Sequence, residues 1–227
     1  MTRRAQIAGA LLLVSAFLGL GGCPRSVSTA VPSSGEALGP GPMLLPTAIG
    51  EQFLWRQHVT ASWSDGSESF DAVLQMHGEE LMLMGLGPMG RPGFIATLTT
   101  SGVTFENRSG RSLPFAPEHI LADVQKVFYP WLGPVPAGFS GTRTGEHKSL
   151  MISETYAGGR LLTRVFERSD AVERGELRIR YEGWLPGLSA PQRAVLDNVW
   201  FGYELTIVTV EQHRLPDQEL ASGEASR

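Results

Sequence analysis

Between Pro117 and Trp131 the apolar positions fall at Ile120, Leu121, Val124, Val127, Phe128 and Trp131. That spacing lays one stripe along an α-helix and does not fit the alternation of a strand. Pro117 suits a first helical turn, where its missing N–H costs nothing, and Pro130 ends the helix near Tyr129. Glu118 and Lys126 sit at the ends that the helix dipole favours for their charges. The same periodicity puts His119, Asp123 and Gln125 on a solvated polar face and Val124 and Phe128 on the buried one.

Almost all the rest of the chain from residue 52 alternates with period two. Trp55, Gln57, Val59, Ala61 and Trp63 share one face against Arg56, His58, Thr60 and Ser62, and Asp65–Gly66 makes the turn. Phe70, Ala72, Leu74 and Met76 mark the returning strand. The stretch 81–86 is apolar on both faces and predicts cover on each side. Further strands are predicted at 93–100, 103–107, 150–156, 161–167, 175–184 and 203–212, while 132–145 and 186–198 read as loops, the second with one helical turn at 190–196. Nine strands in sequential hairpins around one helix predict an antiparallel α+β domain in which the helix plugs or covers a curved sheet.

The N-terminus adds an address. Arg3 and Arg4 precede an apolar run from Ile7 to Leu20 that is short for a membrane span, and the run closes on Leu20-Gly-Gly-Cys23. A signal sequence of this form is similar to a bacterial lipobox, in which the cysteine is acylated and becomes the first residue. Cys23 is the chain's one cysteine, so an internal disulfide is excluded. Residues 1–22 are thus a signal peptide, and 23–50 a lipid anchor and Pro/Gly/Ser-rich tether. Residues 51–213 form the folded domain and 214–227 a disordered tail. Pro24, in the place where an inner-membrane lipoprotein would carry Asp, points to the outer membrane. Net charge is −4 with two lysines, Lys126 and Lys148, and no basic run, so nothing favours nucleic acid.

Several motifs dissolve in context. Gly85-Leu-Gly-Pro-Met-Gly90 matches a dinucleotide fingerprint in letters, but Pro88 and Pro92 forbid the helix it must open, leaving a bend between strands. Gly138-Phe-Ser140-Gly141 resembles a nucleophile elbow but has Thr142 where a second glycine is needed. His119 and Asp123 have a spacing that two metal ligands could share, with no third ligand nearby. Met76, Met82, Met84, Met89 and Met151 suit a wall for varied acyl chains, and equally an ordinary core.

Taken together, the lipobox, the tether, the bend Leu83–Gly90, the helix with Ile120-Leu-Ala-Asp-Val-Gln125 and Tyr129-Pro-Trp131, and Phe201-Gly-Tyr-Glu-Leu-Thr-Ile207 resemble an uncharacterised family. Its members are bacterial outer-membrane lipoproteins found with aryl-polyene or fatty-acid-type synthesis clusters. The resemblance spans about Glu51 to Gln212. The chain departs from the more usual Gln-Leu and Trp-Pro of the family's helix at Gln125-Lys126 and Tyr129-Pro130. The family in turn resembles the LolA and LolB lipoprotein carriers. It therefore implies an antiparallel half-open β-barrel closed by the central amphipathic helix, and it implies no catalytic residue.

The resulting expectation is a lipid-anchored, periplasm-facing monomer, not an enzyme and without cofactor or metal. It would hold a lipid or acylated molecule, such as an aryl-polyene lipid or a lipoprotein acyl chain, and aid its delivery or insertion into the envelope. Leu74, Met76, Leu81, Leu83, Phe94, Ile152, Phe166 and Tyr181, with Val124 and Phe128 from the helix, are the expected cavity lining. A self-filled barrel acting as an assembly partner of an envelope complex is the alternative, and a periplasmic esterase or hydrolase a weaker one. For the anchor, labelled palmitate should enter the protein and the product should fractionate with outer membrane. Cys23→Ser should abolish both, and unlabelled soluble wild-type protein would refute the lipobox.

Overall fold

The computed structural model describes residues 41–110, 116–168, 175–185 and 187–216. The signal peptide, Cys23, most of the tether and the tail from 217 lie outside the described residues.

Eleven strands form one antiparallel sheet among the described residues. They are β1 (Phe53–Trp63), β2 (Gly66–His77), β3 (Glu80–Leu86), β4 (Pro92–Thr99) and β5 (Gly102–Asn107), followed after the helix by β6 (Gly138–His147), β7 (Leu150–Gly158), β8 (Arg160–Arg168), β9 (Glu176–Glu182), β10 (Arg193–Asn198) and β11 (Tyr203–Arg214). The order across the sheet is β5-β4-β3-β2-β1-β11-β10-β9-β8-β7-β6. Two meanders therefore meet at one seam, where β1 pairs with β11 from Phe53↔Arg214 to Trp63↔Tyr203. β5 and β6 are the edges, so hydrogen bonds do not close the sheet into a barrel.

The helix α1 (Pro117–Phe128) connects those two edges in sequence and lies in the hollow of the sheet. Its start and stop agree with the proline logic: Pro117 occupies the first turn, and Tyr129 before Pro130 is extended at φ −81°, ψ 149°. Its environment does not agree with a solvated polar face. Residues 121–127 are buried without interruption, two full turns that include Asp123, Gln125 and Lys126. The stripe locates a greasy face correctly but cannot reveal that the sheet curls far enough to cover the other.

Two strands were hidden from the pattern. β6 carries Gly138, Gly141 and Gly145, pairs with β7 alone, shifts register between Gly138 and Gly141, and is largely exposed, so it lacks alternation. β10 runs Ala194, Val195 and Leu196 buried in succession, a pattern that a short interior strand shares with a helical turn. The expected cover on both faces of β3 is also corrected. Leu81, Leu83 and Gly85 are buried, whereas Met82, Met84 and Leu86 on the outer face are half-buried.

The stretch before β1, read as the end of the tether, packs as a strap. Gly41 lies beside Leu150 on β7, Leu44 meets the helix, Pro46 is buried in a 3-10 turn (Pro46–Ile49), and that turn packs near β3. At the other terminus, Leu215 N–H donates to Gln52 O, carrying order past residue 213.

The bend after β3 is shaped by a ring. Gly85 pairs with Phe94 across β3–β4, and a Cβ there would overlap the Phe94 ring. Gly85→Ala should therefore destabilise by about 1–3 kcal/mol through overpacking, and adding Phe94→Leu should recover part of that loss. Thermal melts of both singles and the double check it; strictly additive losses would refute the ring contact as the cause.

Candidate functional site

The hollow of the sheet has two unlike halves. On β1–β4 the inward positions are Phe53, Trp55, Val59, Ala72, Leu74, Met76, Leu81, Leu83, Phe94, Ala96 and Leu98, all buried, with Gln57 the polar member of the β1 row. Phe53 and Trp55 stack at 3.7 Å, and Trp55 meets Phe128 edge-on. On β7–β9, charged and phenolic side chains join the wall. Glu154 and Arg164 are cross-strand partners, 0% and 3% exposed, joined at 2.7 Å.

That second half grips the end of the helix. Arg164 Nη1 donates to Lys126 O at 2.6 Å and to Val127 O at 3.2 Å, and Tyr181 O–H donates to Val127 O at 2.9 Å. Trp131 Nε1–H and the Tyr129 N–H both donate to Gln125 O at 2.9 Å. The last-turn carbonyls, otherwise orphaned in an apolar interior, are thus satisfied, and a guanidinium sits at the negative end of the dipole. Tyr156 O–H donates to the second Glu154 oxygen at 2.6 Å, completing the carboxylate's partners.

Elsewhere on the helix, Asp123 accepts from Lys126 Nζ at 3.3 Å and from Tyr203 O–H, whose oxygen in turn accepts from Asn198. Gln125 binds the strap in both directions, its Oε1 accepting from Leu44 N–H and its Nε2 donating to Leu44 O, each at 2.8 Å. Tyr129 O–H donates to Pro46 O at 2.7 Å. His119 packs edge-on to Phe201, and burial holds its pKa below the ordinary 6.5.

Of the residues expected to line a cavity, Leu74, Met76, Leu81, Leu83, Phe94, Val124, Ile152, Phe166 and Tyr181 come together in one buried cluster, with Phe128 half-buried against it. In this structure they pack on each other and on the helix. Two surface cavities lie elsewhere. One of about 430 Å³ runs from Trp63 to Tyr203, at the turns joining β1 to β2 and β10 to β11, and one of about 260 Å³ lies between Glu51, Leu188 and Arg214. Ser140 sits in the bulge of β6 with its Oγ accepting from Gly158 N–H, not on a strand–helix turn. No group of metal-ligating side chains gathers among the described residues. The gripping residues Glu154, Arg164, Tyr156 and Tyr203 were missed; their one trace in the sequence is the interruption of apolar alternation by a charge at Glu154 and Arg164.

The chain has four tyrosines, and all four are affected. Burial raises the phenol pKa of Tyr129, Tyr156, Tyr181 and Tyr203 above the ordinary 10.0, with Glu154 adding to the rise at Tyr156 and Asp123 at Tyr203. A phenol whose pKa is higher folded than unfolded contributes stability that is complete below pH 10 and is lost as pH rises beyond it. Spectrophotometric titration should therefore show no tyrosinate near pH 10, then a joint rise when the fold opens in alkali. Separate ionisation of one tyrosine at its ordinary value in folded protein would refute this burial.

No curated protein matches the chain in sequence. Among solved structures, a LolA superfamily protein from Nitrosomonas europaea aligns at 14% identity, covering 76% of this chain and 92% of its own, with a TM-score of 0.43. A domain assigned to outer membrane lipoprotein sorting, from Vibrio parahaemolyticus, aligns at 10% identity over 75% of this chain and 88% of its own, with a TM-score of 0.42. Residues 54–211, which run from the second residue of β1 to Glu211 on β11, match the family described as protein of unknown function DUF3261, and the chain belongs to that family.

Proposed function

We propose that this chain is a lipid-anchored outer-membrane protein whose domain takes an acyl chain into the hollow of its sheet, with the helix and strap as the closure that must yield. The reading rests on the asymmetry of that hollow. The β1–β4 wall is apolar apart from Gln57, whereas the hydrogen bonds that fix the helix come from the strap, β8, β9 and β11. Contacts of that kind can be exchanged for water or for partner groups, while the apolar wall stays intact. An acyl chain moved out of water gains roughly 0.8 kcal/mol per CH₂ from such a wall. The acylated Cys23 would keep the domain beside the membrane that supplies or receives the chain.

A second reading has its own support. Leu74, Met76 and Leu81 are 0% exposed beneath the helix, as in a self-filled barrel that serves an envelope complex as a structural partner.

Titration of the mature chain carrying Cys23→Ser with a fluorescent fatty acid separates the two. The carrier reading expects saturable binding and a rise in melting temperature with ligand. Gln125→Ala, which frees the strap, should tighten apparent binding severalfold by raising the fraction open, and Leu83→Trp should weaken it. Absence of saturable binding by wild type and Gln125→Ala, with Leu83→Trp destabilised by about 1–3 kcal/mol through overpacking, would leave the structural reading.

A further inference from the structure

The amides of this chain follow a habit. Gln52 clamps Gly78 through both its ends, accepting from the backbone N–H at 2.7 Å and donating to the carbonyl at 3.3 Å. Gln212 does the same to Ala190 at 3.1 and 3.0 Å, and Gln125 to Leu44. Gln57 breaks the habit. It is 3% exposed on the inward face of β1, between Trp55 and Val59, and its Nε2 has no hydrogen-bond partner.

An unpaired buried donor keeps the whole cost of its lost hydration, so its presence in an apolar row asks for a partner that the folded chain does not itself provide. Its nearest cross-strand neighbours are small: Gln57 pairs with Ala72 on β2 and Ala72 with Gly85 on β3. The Phe94 ring lies over that glycine, so a partner reaching Nε2 from this side must displace the ring. On the other side Gln57 faces Thr209, where β11 bulges and throws Val210 outward.

We infer that Gln57 is a binding residue for the carbonyl oxygen of an ester- or amide-linked acyl chain lying along the β1–β4 wall. A plain hydrocarbon would fill the apolar row and leave the amide unpaired. A carbonyl at the head of the chain accepts from Nε2 and removes that cost on binding. The inference rests on the proposed acyl-chain reading and adds to it the polar group by which the ligand is told from a hydrocarbon.

The test compares two lysolipids that differ at one oxygen, 1-palmitoyl lysophosphocholine and its 1-O-hexadecyl ether analogue, on the mature chain carrying Cys23→Ser. Wild type should bind the ester about tenfold more tightly, the equivalent of one hydrogen bond of ~1.4 kcal/mol. In Gln57→Leu and Gln57→Met the ester-to-ether ratio should fall to about one. Both variants should also melt higher than wild type without ligand, because an unpaired donor has been removed from the core. A merely structural glutamine would give the opposite shift in melting temperature and no change in ratio. Equal binding of ester and ether by wild type overturns the inference alone, and binding of neither overturns it together with the acyl-chain reading. Melting temperatures lowered in both variants also overturn it, since the amide would then have a partner in the fold. A diacylglyceryl-cysteine peptide measured alongside names the source. Tighter binding than the lysolipid assigns the carbonyl to acylated protein, weaker binding to phospholipid.

Discussion

Removal of helix residues 121–127 from water on every side is the constraint to which the other features answer. A helix lying on a sheet can leave its charged side chains in solvent. Here the sheet curls around two full turns, so each polar group on those turns must find a protein partner or destabilise the fold. Asp123 takes Lys126 and Tyr203, Gln125 takes Leu44, and the last carbonyls take Arg164, Tyr181 and Trp131. The Glu154–Arg164 pair follows from the same demand. Removing one member would strand the other charge at a cost of about 3–5 kcal/mol, while the intact pair adds little net stability. Its effect is to fix where the helix sits.

The division between the two halves of the hollow then has a physical meaning. Apolar contact on β1–β4 is non-directional and tolerates sliding, whereas the hydrogen bonds from β8, β9 and the strap are directional and hold one seating. A wall that accepts varied shapes faces a closure that recognises one arrangement. The strap matters because it joins both sides, resting near β7 at Gly41 and near β3 at its 3-10 turn, with Gln125 fastening it between.

Much of this was legible in advance, for reasons that local pattern can carry. Nine strands, the helix and its two proline-defined ends follow from period and punctuation, as does the bend at Gly85–Gly90. β6 and β10 were not legible. An edge strand with three glycines has no second face to advertise, and a three-residue apolar run has no period. The buried fate of Asp123, Gln125 and Lys126 was also invisible, because it depends on curvature accumulated over many strands and not on any window of sequence. The same holds for Gln57, whose letter fits a strand face but whose unpaired donor appears only once its neighbours are placed.

The seam between β1 and β11 bears on how the molecule is made. Each meander consists of neighbouring hairpins that can pair as soon as they exist, yet the ladder joining them pairs residue 53 with residue 214 and so waits for the last strand. Until then each half presents an unpaired central edge and an unwrapped apolar face, and the helix, already synthesised, has half a cradle. Such an intermediate is open to strand addition by other chains. Synthesis thus passes through a long stretch in which the chain is most complete and least protected, and loss of β11 (Tyr203–Arg214) would leave two half-sheets with nothing to join them.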